Sequence, residues 1–389
     1  MINRFLTIGK GFLKNIGLII FDTFLKPFLT CRNPQPLLLG VVRLDDIGDF
    51  ILWLDGAKHI REFYSTHRII LIANSSWASF ARRLPFWDEV YDINVAKFKR
   101  NIFYRWQTFR QIRNINIETI IHPTHICHLI AGDSVTRFSN AKNRIGSEGD
   151  TSSSKNGWQK RIANRWYNQL IKASPKPLTV LERNIEFINH LTNGNQECKT
   201  FSLAKTDVPM DHLMPTEKYF LIFPGSNGAY KIWPKESFAT LVKNLVATTG
   251  YKAIICGAAL EMDMCNWIAT ASELAISIAG KTSLTEVVEL IRKAEFVIGN
   301  DSGSIHIAAA TNTQSFCIIG GGHFGLFLPY PDNWMGKRPY IINHNMPCYG
   351  CGWRCHFVSS ATSNPYPCIS NISVESVTAH ITNELKKTR

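Results

Sequence analysis

Twice along this chain a short apolar run is followed by a turn, an amphipathic stretch and another apolar run, and this repeated β-α alternation constrains the fold more than any other feature. The first series opens at Leu37. LLLGVVRL reads as a strand, DDIGDF as a turn, and the residues from about Ile51 to Phe63 as a helix. Next come the strand RIILIAN (68–74), a helix near 76–83, the strand EVYDI (89–93), a basic helix over 97–113 and the strand IETIIH (117–122). Residues 147–158 read as a polar loop, and a helix is expected near 178–194. The second series has strands at 219–225, 252–257, 275–280, 295–300 and 315–320, with helices near 235–248, 283–293 and 303–311. Continuous apolar runs of this kind suit parallel strands buried on both faces. The aperiodic, turn-rich stretch from Thr192 to Glu217 reads as the linker. The expectation is an α/β chain with a basic segment over 1–35, a doubly wound domain over 36–205 and a second over 206–389. Ligands in such sheets bind at the carboxyl ends of the strands.

At 389 residues, with 45% hydrophobic and 19% charged side chains, the chain has the composition of a globular protein of about two domains. Its net charge of +13 is unevenly placed, because residues 206–389 hold 14 basic and 14 acidic side chains and the entire excess falls on residues 1–205. That asymmetry points to an anionic partner for the first half. Residues 1–30 mix apolar residues with Arg4, Lys10, Lys14 and Lys26, while Asp22, Lys26 and Pro27 interrupt any spanning run. They read either as an amphipathic helix on an anionic leaflet or as a helix docked on the protein's own core. Six of the ten cysteines are scattered, as free buried thiols in a reducing compartment would be.

No GxGxxG follows a first strand and no GxxxxGK[ST] occurs, which argues against a nicotinamide oxidoreductase or a P-loop enzyme. Three other motifs stand at the strand ends: RLDDIGDF (43–50), PGSNGAYKIWP (224–234) and GNDSGSIHIAAA (299–310). Asp49 ends a glycine-containing turn above the first strand, where a carboxylate can take a proton from an attacking hydroxyl. The competing reading makes it a cap of the following helix. Gly225 and Ser226 let backbone amides approach an anion, and Lys231 supplies a cation for a departing diphosphate. After Asn300 a helix start aims free amides above the sheet, which suits a diphosphate.

In combination these motifs resemble the family 9 glycosyltransferases, known for the heptosyltransferases of lipopolysaccharide core synthesis, and the likeness runs from about Leu37 to the C-terminus. The resemblance implies a GT-B type fold of two facing Rossmann-like domains with an interdomain cleft. It implies metal-independent, inverting transfer from a nucleotide sugar, by inheritance ADP-heptose, onto a lipopolysaccharide or related acidic glycolipid acceptor. Asp49 matches the family's catalytic aspartate. Ser226, Lys231, Asp301, Ser302, Gly303 and His306 match its donor-binding residues, with Ser302 standing where the family has threonine, and Glu261 matches the acidic residue that holds the donor ribose. His306 has a second reading as a satisfied core histidine. Arg43 is a candidate for an acceptor phosphate or carboxylate, and His122 and His125 for the acceptor side.

Cys348, Cys351, Cys355 and Cys368 are spaced C-x₂-C-x₃-C-x₁₂-C, which admits a four-thiolate zinc site, structural if present. The basic, aromatic stretches 97–113 and 155–167 lack any nucleic-acid recognition motif. An anionic inner-leaflet surface accounts for them together with the N-terminal segment, giving an expected cytoplasmic, peripheral location at the inner membrane. The alternative from another class is a non-catalytic nucleotide-sugar or glycan binding protein of the same fold.

Overall fold

A computed structural model of the chain describes residues 15–29, 33–150, 157–198, 202–210, 215–334, 336–358 and 364–387. Arg4, Lys10, Lys14 and Cys31 lie outside these residues. The chain divides into two compact units. One runs to Lys176 and takes in Arg183–Glu197, and the other comprises Pro177–Glu182 and the chain from Cys198 onward.

The first unit holds, in order, α1 (residues 15–25), β1 (Gln35–Arg43), α2 (Ile47–Phe63), β2 (Arg68–Asn74), α3 (Ala78–Ala81), β3 (Glu89–Ile93) and α4 (Val95–Arg100). It continues through α5 (Ile102–Asn114), β4 (Ile117–His122), α6 (Gly132–Phe138), β5 (Asn143–Ser147), α7 (Gly157–Asn164), β6 (Gln169–Ile171) and into α8 (Val180–Thr192). All six strands pair in parallel, in the order β3-β2-β1-β4-β5-β6. The apolar runs form strands because each is covered on both faces. Leu38 and Val42 of β1 and Ile70 and Ile72 of β2 pack in one cluster with Phe98, Phe109 and Phe138, and the alternate residues Leu39, Val41 and Leu71 are buried as well.

Two elements differ from the sequence reading in ways that matter for the site. Helix α2 begins at Ile47, four residues before the expected start, with the Phe50 amide donating to the Asp46 carbonyl at 3.1 Å and Phe50 and Leu54 driving its first turns into the core. Asp49 therefore lies in the first helical turn. The single basic helix expected over 97–113 is two helices, since the Asn101 side chain accepts the Tyr104 amide at 2.9 Å and caps a new start. One of its cations is not a surface charge at all. Arg105 is fully buried, its guanidinium forked onto the carboxylate of Asp22 from α1 and donating to the Ile130 carbonyl at 2.7 Å. Arg113 likewise reaches the Leu29 carbonyl at 3.2 Å.

The second unit contains β7 (Tyr219–Phe223), α9 (Lys235–Thr249), β8 (Lys252–Ile255), α10 (Met262–Ser272), β9 (Ala275–Ser277), α11 (Leu284–Lys293) and β10 (Phe296–Asn300). It closes with α12 (Gly303–Ala310), β11 (Ser315–Ile318), β12 (Tyr340–Ile342), α13 (Pro367–Ser370) and α14 (Val374–Lys387). Its parallel order is β12-β11-β10-β7-β8-β9. Its core gathers Phe220, Phe296 and Phe316 from the strands with Phe238 and Leu241 of α9, and Trp233 is fully buried there, donating its indole N–H to the Ile372 carbonyl at 2.9 Å.

Each unit thus has Rossmann topology, so the expected pair of doubly wound α/β layers is present. Numbered within its own sheet, each order reads 3-2-1-4-5-6, and the strand order reverses between the first and fourth strands. Those two points, β1/β4 and β7/β10, are where such sheets open a crevice. No helix of the described residues is long and apolar enough to cross a membrane.

Candidate active site

At the β1/β4 point the chain turns from Arg43 into α2, and the turn is clamped from below. The buried Arg43 guanidinium pairs with Asp45 at 2.6 Å, donates to the Asp49 carbonyl at 3.0 Å and the Pro123 carbonyl at 3.3 Å, and lies over the Trp53 ring. Trp77 and Asn74 donate to the Asp45 carbonyl at 3.0 and 3.2 Å. These partners of Arg43 are internal to the loop and its neighbours, which makes it a brace for Asp49. Asp49 itself keeps partial access to solvent. Burial, and then the charge of Asp45, push its carboxyl from the ordinary 3.8 up to about 7, with Asp46 adding to the rise and Arg43 opposing it. A carboxyl poised there can accept a proton near neutrality.

Across the switch point, His122 ends β4. Its Nδ1 lies 2.8 Å from the Tyr167 hydroxyl, which donates to Asp133 Oδ1 at 2.6 Å, so the imidazole N–H is assigned to Nδ1 and the donor chain runs His122, Tyr167, Asp133. Although burial works to raise it, the Asp133 carboxyl is held far below the usual range by His122, Lys160 and Tyr167. His122 Nε2 is buried without a partner and faces Gly132, where an added Cβ would stand 2.3 Å from it. Gly132→Ala is expected to force the ring off this network and to destabilise the protein by about 1–3 kcal/mol, read by denaturant unfolding. His122 is therefore a support behind the site.

His125 is placed differently. It lines a small open recess together with Pro123, Ser147, Lys172, Arg183 and Glu186, above the tips of β4, β5 and β6. Burial, then the cations Arg183 and Lys160, hold His125 neutral, its pKa lowered to about 4. Arg183 and Glu186 are paired at 2.8 Å. His128, half-buried, is also lowered to about 4 by burial, with Asp45 raising it and His122 lowering it, which puts it within electrostatic reach of the Asp45–Asp49 turn.

At the β7/β10 point the second unit assembles the other two motifs. Asn300, at the end of β10, donates from Nδ2 to the Pro224 carbonyl at 2.6 Å, and its Oδ1 accepts the Trp233 amide at 3.0 Å. One side chain thereby fastens both ends of the 224–233 loop to the strand that precedes Asp301. Ser226 donates to the Asp301 carbonyl at 3.3 Å. Lys231 is 9% exposed, and its charge is felt by Asp301 and by His306. Burial raises the Asp301 carboxyl and Lys231 opposes the rise. Burial, then Lys231, lower His306 to about 3, and its Nδ1 lies 2.7 Å from the Tyr330 hydroxyl, so a neutral imidazole stands beside the lysine. Ser302 and Ser304 hydroxyls meet at 3.0 Å at the start of α12, where Ser302 makes no capping bond to the helix and Gly303 is its first residue. Backbone amides, one cation and hydroxyls converge here, a donor set suited to an anion.

Glu261, at the tip after β8, accepts the Ala258 amide at 2.7 Å, and its carboxylate occupies the space where a Gly225 side chain would point. The nearby Asp263 is exposed. Any residue but glycine at 225 would strike the Glu261 carboxylate, with 1.7 Å between the added Cβ and Oε1. Ser226, Lys231, Asp301, Ser302, Gly303 and His306 are thus on one pair of strand tips, and Glu261 abuts them through Gly225. Sequence reasoning passed over Asn300 and Tyr330. Asn300 was visible as the polar end of an apolar strand, whereas Tyr330 carried no local signal.

The zinc reading finds no support in the cysteine arrangement. Cys348, Cys351 and Cys355 are half-buried, Cys368 is buried, and burial followed by the neighbouring thiols raises Cys368. Among the described residues no three His, Cys, Asp or Glu side chains are disposed to hold a metal ion.

Comparison with known proteins places these sites in context. Residues 135–349 match the model of glycosyltransferase family 9 (heptosyltransferase). The lipooligosaccharide heptosyltransferase 2 of Haemophilus influenzae is 37% identical over 103 residues, 25% of this chain and 30% of that protein, so the match spans less than a third of that relative's length. The lipopolysaccharide heptosyltransferase 1 of Campylobacter coli is 22% identical over 298 residues, 72% of this chain and 83% of its own. Among solved structures, Escherichia coli ADP-heptose lipopolysaccharide heptosyltransferase II superposes with a TM-score of 0.67 at 16% identity, covering 90% of this chain and 99% of that one, which is a likeness of fold.

Proposed function

From the premise that the chain belongs to glycosyltransferase family 9, we propose that it transfers a sugar from a nucleotide-sugar donor to a hydroxyl of an acidic glycolipid, with Asp49 as the base. The observation that carries this reading is the placement of the two halves of the chemistry, each at the switch point of its own sheet. An acceptor hydroxyl hydrogen-bonded to Asp49 gives its proton to the carboxylate while its oxygen attacks the anomeric carbon of the donor. The bond from that carbon to the diphosphate breaks, and the nucleoside diphosphate departs with the electron pair. The direction of attack inverts the anomeric centre.

Lys231 and the amides at the start of α12 neutralise the growing charge on the leaving oxygen, the task a divalent cation performs in other transferases. Ser226, Ser302 and Gly303 line the diphosphate, Glu261 reaches the ribose and Asp301 and His306 complete the pocket around Lys231. ADP-heptose is the favoured donor, since the structural relative is named for it, and a lipopolysaccharide or lipooligosaccharide the favoured acceptor, since the curated relatives are named for these. The His125 recess, rimmed by Lys172 and Arg183, would receive an anionic group of the acceptor remote from its reacting hydroxyl.

A thermal-shift panel of ADP-, UDP- and GDP-sugars tests the donor assignment. ADP-heptose at about a thousand times its Kd is expected to add about 4 kcal/mol to stability, and extracted glycolipid plus that donor should then yield nucleoside diphosphate. Stabilisation by a nucleotide sugar without product from any glycolipid would favour the non-catalytic alternative.

A further inference from the structure

The charge excess of the first unit is concentrated in two stretches of its sequence. Residues 1–44 contain a single carboxylate, Asp22, and residues 93–117 contain none, against six basic residues in each stretch. The lone carboxylate is turned inward. Asp22 and Arg105 form a bidentate pair whose side chains are 1% and 0% exposed, and Arg137 donates to Thr23 at 3.1 Å beside it. Helix α1 is thus seated on the core along its Asp22 side, and the opposite side, two residues away in either direction, is left outward. Ile20 and Phe24 stand there at 64% and 68% exposure. In the first turn of α5, Ile102 and Phe103 are 49% and 70% exposed. Around these side chains Lys26, Lys97, Arg100 and Arg110 are exposed, and Asp46 acts on the charge of Lys99, so α4 borders the Asp45–Asp49 turn.

Large apolar side chains held in water beside the exposed cations Lys26, Lys97, Lys99, Arg100 and Arg110, on helices free of exposed carboxylates, fit one kind of partner, an apolar layer under an anionic surface. We infer that Ile20 and Phe24 of α1 with Ile102 and Phe103 of α5 form the face by which this chain docks on a bilayer of anionic lipid, the four side chains entering the headgroup layer and the cations of α4 and α5 pairing with lipid phosphates. The buried Asp22–Arg105 pair makes α1 a fixed part of this face. The docking face goes beyond the transfer reaction, and its test does not read activity.

The full-length chain is sedimented with vesicles of mixed phosphatidylglycerol and phosphatidylcholine and, separately, of phosphatidylcholine alone. Partition into the anionic vesicles is expected. Ile20→Ser/Phe24→Ser should reduce it by at least about ten-fold, and Phe103→Ser should reduce it as well without touching α1. Lys97→Glu/Arg100→Glu/Arg110→Glu should remove the preference for anionic lipid, each cation being worth about five-fold. Circular dichroism and thermal unfolding are the check that each variant keeps its fold. Absence of partition into anionic vesicles, equal partition of the parent and the folded variants, or equal binding to both vesicle types would overturn the inference. So would a dimer of the parent chain that Ile20→Ser/Phe24→Ser dissociates while vesicle binding is nil, since a second copy would then be the occupant of this face.

Discussion

Replacing Asp49 by Asn is expected to lower kcat by about 10²–10⁴-fold while leaving affinity for ADP unchanged, because the amide cannot take the acceptor proton and the donor-binding residues are left intact. The pH dependence adds a second handle on the same group. Only the ionised carboxyl is a base, and its folded-state pKa lies at about 7, so kcat/KM should climb through pH 7 and level off above it. Asp45→Asn removes the leading neighbouring charge behind that rise and should move the climb to lower pH. The same carboxyl has a stability signature of definite sign. Raised from 3.8 to about 7 on folding, it keeps its proton in the native state where the unfolded chain has lost it. Its contribution to stability is therefore complete below the unfolded value and is lost as pH rises through the folded one. The Asn variant, which never ionises, should have a higher Tm than the parent at pH 8 and no such advantage at pH 4. Full turnover in the Asn variant would remove Asp49 from its role.

Lys231→Met is expected to cost about 10²–10³-fold in kcat, with a smaller loss in ADP affinity. The asymmetry follows from where the charge appears: the bridging oxygen becomes more negative as its bond to the sugar breaks, so the ammonium is worth more at the transition state than in the bound ground state. A second consequence follows from the neighbours of Lys231. Its charge depresses His306 and restrains the rise of Asp301, so its loss should raise both groups, a change visible in the imidazole resonances of His306 on titration. Unchanged kcat in a folded Lys231→Met protein would break the link between this lysine and leaving-group stabilisation.

The strands of both sheets were legible because parallel strands buried on two faces must be apolar along their whole length, and RIILIAN, EVYDI and IETIIH are strands at the residues expected. The edges were not. β5 (NRIGS), β6 (QLI) and β12 (YII) span only five, three and three residues, too few to show a pattern, and β6 and β12 each pair with a single neighbour. The motifs at the switch points were legible as candidates, because loop glycines and polar residues at the end of an apolar run have few structural reasons to be there. What each side chain does was less so. Arg43 reads locally as a free cation, and its partners Asp45 and Pro123 decide otherwise. His122 reads as a lining residue of the acceptor side, and Tyr167, 45 residues later, engages its Nδ1. Arg105 looks like one more surface charge in a basic helix until Asp22, 83 residues earlier, is placed against it.

The two hydrogen bonds of Asn300 bear on the thermodynamics of nucleotide capture. With both ends of the 224–233 segment tied to β10, the anion cradle is set before any ligand arrives, and little conformational entropy is surrendered when one binds. Calorimetry of ADP binding should accordingly show a modest unfavourable entropy. Asn300→Ala, which unties the segment, should make that entropy more unfavourable and slow association, even though the side chain reaches no phosphate itself.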